Sequence, residues 1–110
     1  MNLNWMFTYY NKKYFGNLLP KYKVVFAFPT MDRRCAAEED VDQKIIRINP
    51  RLKGFYQEVK VCLLHEMIHA KLDVTGAYTK WHKSMQAWHG PVFQKEIMRL
   101  FKAGAYKGIL

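Results

Sequence analysis

One stretch constrains this chain more than any other: Leu63-Leu64-His65-Glu66-Met67-Ile68-His69-Ala70, an H-E-x-x-H pattern set among apolar residues. On an α-helix, residues four apart lie one turn apart on the same face, so His65 and His69 can point at one metal ion. Glu66 stands beside His65, near enough to reach a water on that ion without competing as a ligand. Two neutral imidazoles that hold an ion, and a carboxylate that takes a proton from its water, are what a zinc hydrolase needs. An i, i+4 His pair also occurs on solvated helices and in cores. The flanking Val61, Cys62, Leu63, Leu64, Met67 and Ile68 favour the metal, because a buried helix must give its imidazoles and carboxylate a partner.

The rest of the composition narrows the class. A chain of 110 residues is expected to form one domain, residues 1–110, around one core. Half of it is apolar, which excludes a disordered chain. Eighteen Lys and Arg against nine Asp and Glu leave a net charge of +9. That balance favours anionic partners, nucleic acid first and an anionic membrane surface second. Cys35 and Cys62 are too few for a disulfide scaffold and lie in no C-x-x-C pair, so both read as free thiols in a reducing compartment. The first residues lack a basic segment followed by an apolar one, and no run is long enough to span a bilayer. The expectation is a soluble, intracellular, cytoplasmic and monomeric protein, with no membrane partner (in the host cytoplasm if viral, in the nucleus if eukaryotic).

Leu3, Phe7, Tyr10, Tyr14 and Leu18 recur at helical steps and predict a helix from Leu3 to about Asn17, stopped by Gly16, Asn17 and Pro20. Its aromatic stripe reads as core. Lys23 to Phe28 predicts a strand ended by Pro29, and Lys44 to Asn49 another ended by Pro50. Between them, a second strand can begin at Arg33 to Ala37, with Glu38 to Asp42 as an acidic turn. Arg47, between isoleucines, is expected to face solvent. The metal-motif helix is expected from about Phe55 to Leu72, with Gly76 turning the chain away. A last helix begins near His89-Gly90-Pro91, where Pro suits the first turn. Its apolar face is Phe93, Ile97, Leu100 and Phe101. Its other face carries Lys95, Arg99 and Lys102, either an ordinary solvated face or a phosphate-contacting one.

A catalytic zinc usually takes three protein ligands and leaves one position to water. After the motif the candidates are Asp73, His82 and His89. His89 is preferred, because a ligand at the start of a helix anchored by Phe93 is held more rigidly than one on a loop.

With these residues in place the chain resembles a known family. Leu64-His65-Glu66-Met67-Ile68-His69-Ala70 followed by His89-Gly90-Pro91-Val92-Phe93 is similar to the SprT-like metalloprotease domain of the SprT and Spartan family. Tyr10 to Phe15 resembles that family's first helix, and Ile46-Arg47-Ile48-Asn49-Pro50 its strand before the active-site helix. The resemblance implies an α+β, zincin-like domain: an N-terminal helix, a short three-stranded sheet, the H-E-x-x-H helix and a C-terminal helix. It further implies zinc held by His65, His69 and His89, with Glu66 as general base. The implied substrates are proteins bound or crosslinked to DNA, as in DNA–protein crosslink repair, with DNA itself as activator or tether. The chain departs from the family in an insertion at residues 76–88, and it shows no zinc ribbon or other separate DNA-binding module. DNA contact would then fall to the domain itself.

The expected chemistry follows. Glu66 takes a proton from a zinc-activated water and returns it to the leaving amine. Tyr78, Lys80 and His82 are candidate oxyanion donors. The strand around Ile45 to Asn49 is a candidate edge for an extended substrate. Trp81 and Trp88 suit stacking on unpaired bases or packing of the insertion. Two other functions compete: a non-catalytic DNA-binding module with structural zinc, and a metal-dependent nuclease, against which the placement of Glu66 argues.

Overall fold

The computed structural model describes residues 1–76 and 90–109 of the chain. Helix α1 spans Leu3–Tyr14, where Asn2 caps the first turn by accepting the Trp5 N–H at 2.9 Å. Lys12 and Lys13 meet the negative end of its dipole. Leu3, Phe7, Tyr10 and Tyr14 are buried as their spacing implies, and Met6 joins them. The helix ends sooner than expected, because Gly16 and Asn17 both adopt left-handed backbone (φ +57° and +60°). Leu18 is therefore exposed and Leu19 takes the core position. The Asn11 side chain braces this return, donating to Leu19 O at 3.0 Å and accepting Leu19 N–H at 3.2 Å.

Three strands follow: β1 at Lys23–Phe26, β2 at Ala37–Asp40 and β3 at Ile45–Ile48. Their order is β1-β3-β2, with β1 parallel and β2 antiparallel to β3. The chain is thus α+β with a short three-stranded sheet, as expected. Two local expectations change. The acidic segment is strand rather than turn up to Asp40, and the turn moves to residues 41–44, where Lys44 has φ +56°. The reason is cross-strand charge. Arg47 of β3 donates to Glu38 at 2.8 Å and to Asp40 at 3.4 Å, so two acids with low strand propensity gain a partner by pairing. Arg47 itself is then covered, with a side chain only 13% exposed, and does not face open solvent. The second change is that β3 is central. Both of its edges are filled by β1 and β2, so it offers no edge to a substrate, and β1 and β2 are the outer strands instead.

Pro50–Leu52 forms a single 3-10 turn, and helix α2 then runs Tyr56–Val74. Val59, Leu63, Leu64, Met67, Ile68, Ala70 and Leu72 are all buried, so α2 is covered on most of its surface and forms the centre of the core. Gly76, at φ +73°, closes its end with its N–H on Asp73 O. Helix α3 spans Pro91–Lys102 with Pro91 in the first turn. Phe93 and Leu100 are buried and Ile97 is partly so, but Phe101 is half exposed. At 100° per residue, Phe93, Ile97 and Leu100 share a narrow arc and Phe101 falls on its rim. Ala105 and Tyr106, just past the helix, fill the core there. Lys71 of α2 binds Glu96 of α3 at 2.7 Å, which fixes the two helices against each other. No helix among the described residues is long and apolar enough to cross a membrane.

Candidate metal centre

Helix geometry brings the two motif histidines together. The Nε2 atoms of His65 and His69 lie 3.3 Å apart, with ring centroids at 4.9 Å. Phe93 of α3 is almost fully buried, and its ring packs against both imidazoles, at 4.8 Å from His65 and 4.7 Å from His69. Phe93 therefore supports the pair directly, beyond anchoring its own helix. The separation suits one ion. With zinc–nitrogen bonds of about 2.0–2.1 Å, two ligands at a tetrahedral angle stand roughly 3.3–3.4 Å apart. The donor set also fits, since imidazole nitrogen is a preferred zinc ligand. Among the described residues no group of three His, Cys, Asp or Glu side chains could hold a metal.

Glu66 lies next to this point. Its Oε2 is 4.0 Å from His65 Nε2, and the residue is only 7% exposed. The structure turns it inward, toward β2. Burial pushes the Glu66 carboxyl up to about 8, and the nearby Glu38 carboxylate acts in the same sense. The backbone of Glu39 on β2 works the other way and favours the ionised form. A cation between the imidazoles would also favour the ionised form.

Asp73, one turn beyond His69, is engaged elsewhere: it shares a hydrogen bond with the Glu39 carboxyl. Glu39 also accepts the Tyr22 hydroxyl at 2.6 Å. Burial pushes the Glu39 carboxyl up to about 8, and Asp73 adds to the shift. Burial likewise raises the Tyr22 hydroxyl and the Cys62 thiol, the latter one turn before Glu66. No local signal foretells the Tyr22–Glu39–Asp73 cluster. Only the strand register reveals it, by placing Glu39 on the sheet face opposite Glu38 and Arg47.

Of the other site residues expected from sequence, His89, His82, Tyr78, Lys80, Trp81 and Trp88 lie outside the described residues. Lys95 and Lys102 are exposed on α3. Arg99 differs from both: it reaches inward to Glu96 at 3.0 Å and to the main-chain carbonyl of Tyr14 at 2.6 Å. Helix α1 presents a second cationic surface. Trp5, 62% exposed, stacks on Tyr9 at 5.2 Å, and Lys13 Nζ lies 5.4 Å from the Tyr9 ring. No acidic residue occurs on this helix.

An α+β domain with H-E-x-x-H on its central helix, paired imidazoles and a buried glutamate beside them is built as a metallopeptidase-like domain. The chain belongs to the SprT-like family, whose family model matches residues 3–107. That family is associated with zinc metalloproteases. No curated protein and no solved structure matches the chain.

Proposed function

We propose that this protein is a zinc-dependent peptidase acting on proteins bound or crosslinked to DNA. The observation that carries the peptidase reading is the 3.3 Å pairing of His65 and His69 with the buried Glu66 carboxyl 4.0 Å from the first of them. His65 and His69 would hold zinc, and His89 would be the third ligand. Zinc, when bound, acidifies a water and polarises the scissile carbonyl. Glu66 accepts the proton at a carboxylate oxygen and passes it to the departing amine. Its burial is an advantage here, because a base whose affinity lies near neutral pH can both take and return a proton. The outer strand β2 supports binding of an extended substrate, since its free edge runs beside Glu66.

Charge and chemistry support the DNA part. The net +9, the exposed Lys95 and Lys102, and the acid-free aromatic and basic surface of α1 all suit a polyanion with exposed base faces. Trp81 and Trp88 would add stacking surfaces. The two free thiols, Cys35 and Cys62, suit an intracellular site of action.

The test is cleavage of a basic protein such as a histone, with zinc or chelator, and with or without single-stranded DNA. Cleavage that needs zinc and rises with DNA is expected. Glu66→Gln should keep zinc and lower kcat by roughly 10²- to 10⁴-fold. Cleavage by Glu66→Gln at the wild-type rate overturns the assignment of the base. Zinc and DNA binding with no cleavage would leave a non-catalytic DNA-binding module.

A further inference from the structure

Two arginines from separate segments converge on one aromatic ring. The guanidinium carbon of Arg33 lies 4.2 Å from the centre of the Phe28 ring, and that of Arg51 lies 5.8 Å from it. Lys53 adds a third cation, its Nζ 5.5 Å from the Phe26 ring. Phe26 ends β1 and Phe28 follows two residues on, so the three cations gather at one end of the sheet. All three are exposed. Among the described residues none of them forms an ion pair. The nearby acids are engaged elsewhere: Asp32 binds Arg34 at 3.0 Å, and Glu38 binds Arg47 at 2.8 Å. Glu58, in the first turn of α2, pairs with none of the three.

The chain builds this arrangement. Asn49, only 4% exposed, donates to the main-chain carbonyls of Arg33 at 2.9 Å and Cys35 at 3.0 Å. Its side-chain oxygen accepts the Arg51 N–H at 3.0 Å. One buried amide thus sets the backbones of both arginines. The loop that carries Arg33 is pinned again by Glu38, which accepts the Thr30 N–H at 3.0 Å and the Thr30 hydroxyl at 2.8 Å. Like charges held together repel, and contact with an exposed aromatic face offsets this only weakly. Cations organised in this way, with no acid among them, fit an anion.

We propose that Arg33, Arg51 and Lys53 bind the phosphodiester backbone of single-stranded DNA. This rests on the DNA part of the functional reading and not on the peptidase part. Guanidinium groups match phosphate oxygens bidentately and stack on aromatic faces. Phe55, two residues past Lys53, is 57% exposed and offers ring surface to an unpaired base. Polybasic lipid-binding segments carry roughly four to eight cations beside a membrane span or on an amphipathic helix. Here three cations sit on a loop and at a 3-10 turn, which favours a strand of phosphates over a bilayer.

The test is binding of the full chain to a fluorescent oligothymidylate, followed by anisotropy across a salt series. No protein substrate is present, so the result does not depend on cleavage. Arg33→Gln, Arg51→Gln and Lys53→Gln should each lower the slope of log affinity against log salt by about 0.7, and the triple variant by about 2. Arg33→Lys keeps the charge and should keep the slope. Lys21→Gln removes the same charge at the other end of the sheet and should leave the slope unchanged. The single variants carry the test if the triple variant fails to fold. Unchanged slopes in all three single variants overturn the inference and leave the DNA reading intact. An equal loss in Lys21→Gln also overturns it, because net charge alone would then drive binding. Should the three variants weaken binding only to vesicles of equimolar phosphatidylcholine and phosphatidylserine, the surface meets a membrane and the inference falls. A wild-type chain that binds no oligothymidylate overturns both the inference and the DNA part of the reading.

Discussion

Arg99 and Tyr14, 85 residues apart in sequence, are joined by a 2.6 Å hydrogen bond from the guanidinium Nη1 to the main-chain carbonyl. The same guanidinium lies 5.3 Å from the Phe15 ring and binds Glu96. It therefore ties the C-terminal half of α3 to the end of α1, where the chain has run out of helical partners for its carbonyls. From sequence alone Arg99 belongs to the same basic stripe as Lys95 and Lys102. The structure separates them by task. Arg99→Gln should cost roughly 1–3 kcal/mol, as hydrogen bonds to charged groups do, read by urea denaturation. Lys95→Gln with Lys102→Gln should leave stability unchanged. If α3 contacts phosphates, the double variant should also lower the slope of log affinity against log salt by about 0.7 per lost contact on single-stranded DNA. An unchanged slope removes α3 from the interface.

Phe93 supports two imidazoles at once, so its loss should register at the metal as well as in the core. Phe93→Ala is expected to cost about 3–5 kcal/mol, the range for truncating a buried aromatic. It should also weaken zinc binding, because both rings lose the surface that restricts their rotation. Phe93→Leu retains apolar contact and should cost less on both counts. Zinc titration monitored by calorimetry separates the two effects. Unaltered zinc affinity in a folded Phe93→Ala protein would show that the imidazoles are held by α2 alone.

Metal removal gives a direct reading of the ligand set. Ligands that bind only the folded state stabilise it by mass action, by about 2.7 kcal/mol at a hundred times Kd. Zinc should raise the wild-type melting temperature in this concentration-dependent way, and chelator should reverse it. His65→Ala and His69→Ala should each abolish the rise. The same loss in His89→Ala would identify the third ligand, whereas a full rise there would redirect the search to His82.

How much of this was legible beforehand differs by element. The order of helix, sheet, helix and helix followed from periodicity and from Pro and Gly punctuation, because those signals are local. The close approach of His65 to His69 was legible too, since a five-residue pattern on a helix fixes its own geometry. The errors share one cause. Glu38 to Asp40 looked like a turn because acids disfavour strands, and only the register against Arg47 overrides that propensity. The central position of β3 depends on a crossover that no local signal encodes. Asp73 stood out only as a candidate ligand and Glu39 only as part of an acidic turn, and their association with Tyr22 stayed hidden because the three lie on separate segments.

The buried carboxyls also set a pH dependence opposite to that of ordinary paired acids. Glu39 and Glu66 are both raised to about 8 from an ordinary value of 4.5, first of all by burial. Between those limits the unfolded chain has released these protons while the folded protein keeps them. Stability of the metal-free protein should therefore be fully supported by these two groups below about pH 4.5 and decline as pH rises toward 8. Glu38, Asp40 and Glu96 move the other way. Burial pushes Glu38 and Glu96 up, but hydrogen bonds from Thr30 and Arg47, and from Lys71 and Arg99, hold them below the usual value. Backbone hydrogen bonding to Gln43, with Arg47 nearby, lowers Asp40. Their contribution is lost only in acid, outside this window. Glu39→Gln has no proton to lose, so it should flatten part of the decline, and Glu66→Gln the rest. Urea denaturation of metal-free protein from pH 5 to pH 9 reads the slope. A wild-type protein that grows more stable across this range, or a Glu39→Gln protein with an undiminished slope, would show that Glu39 ionises freely inside the fold.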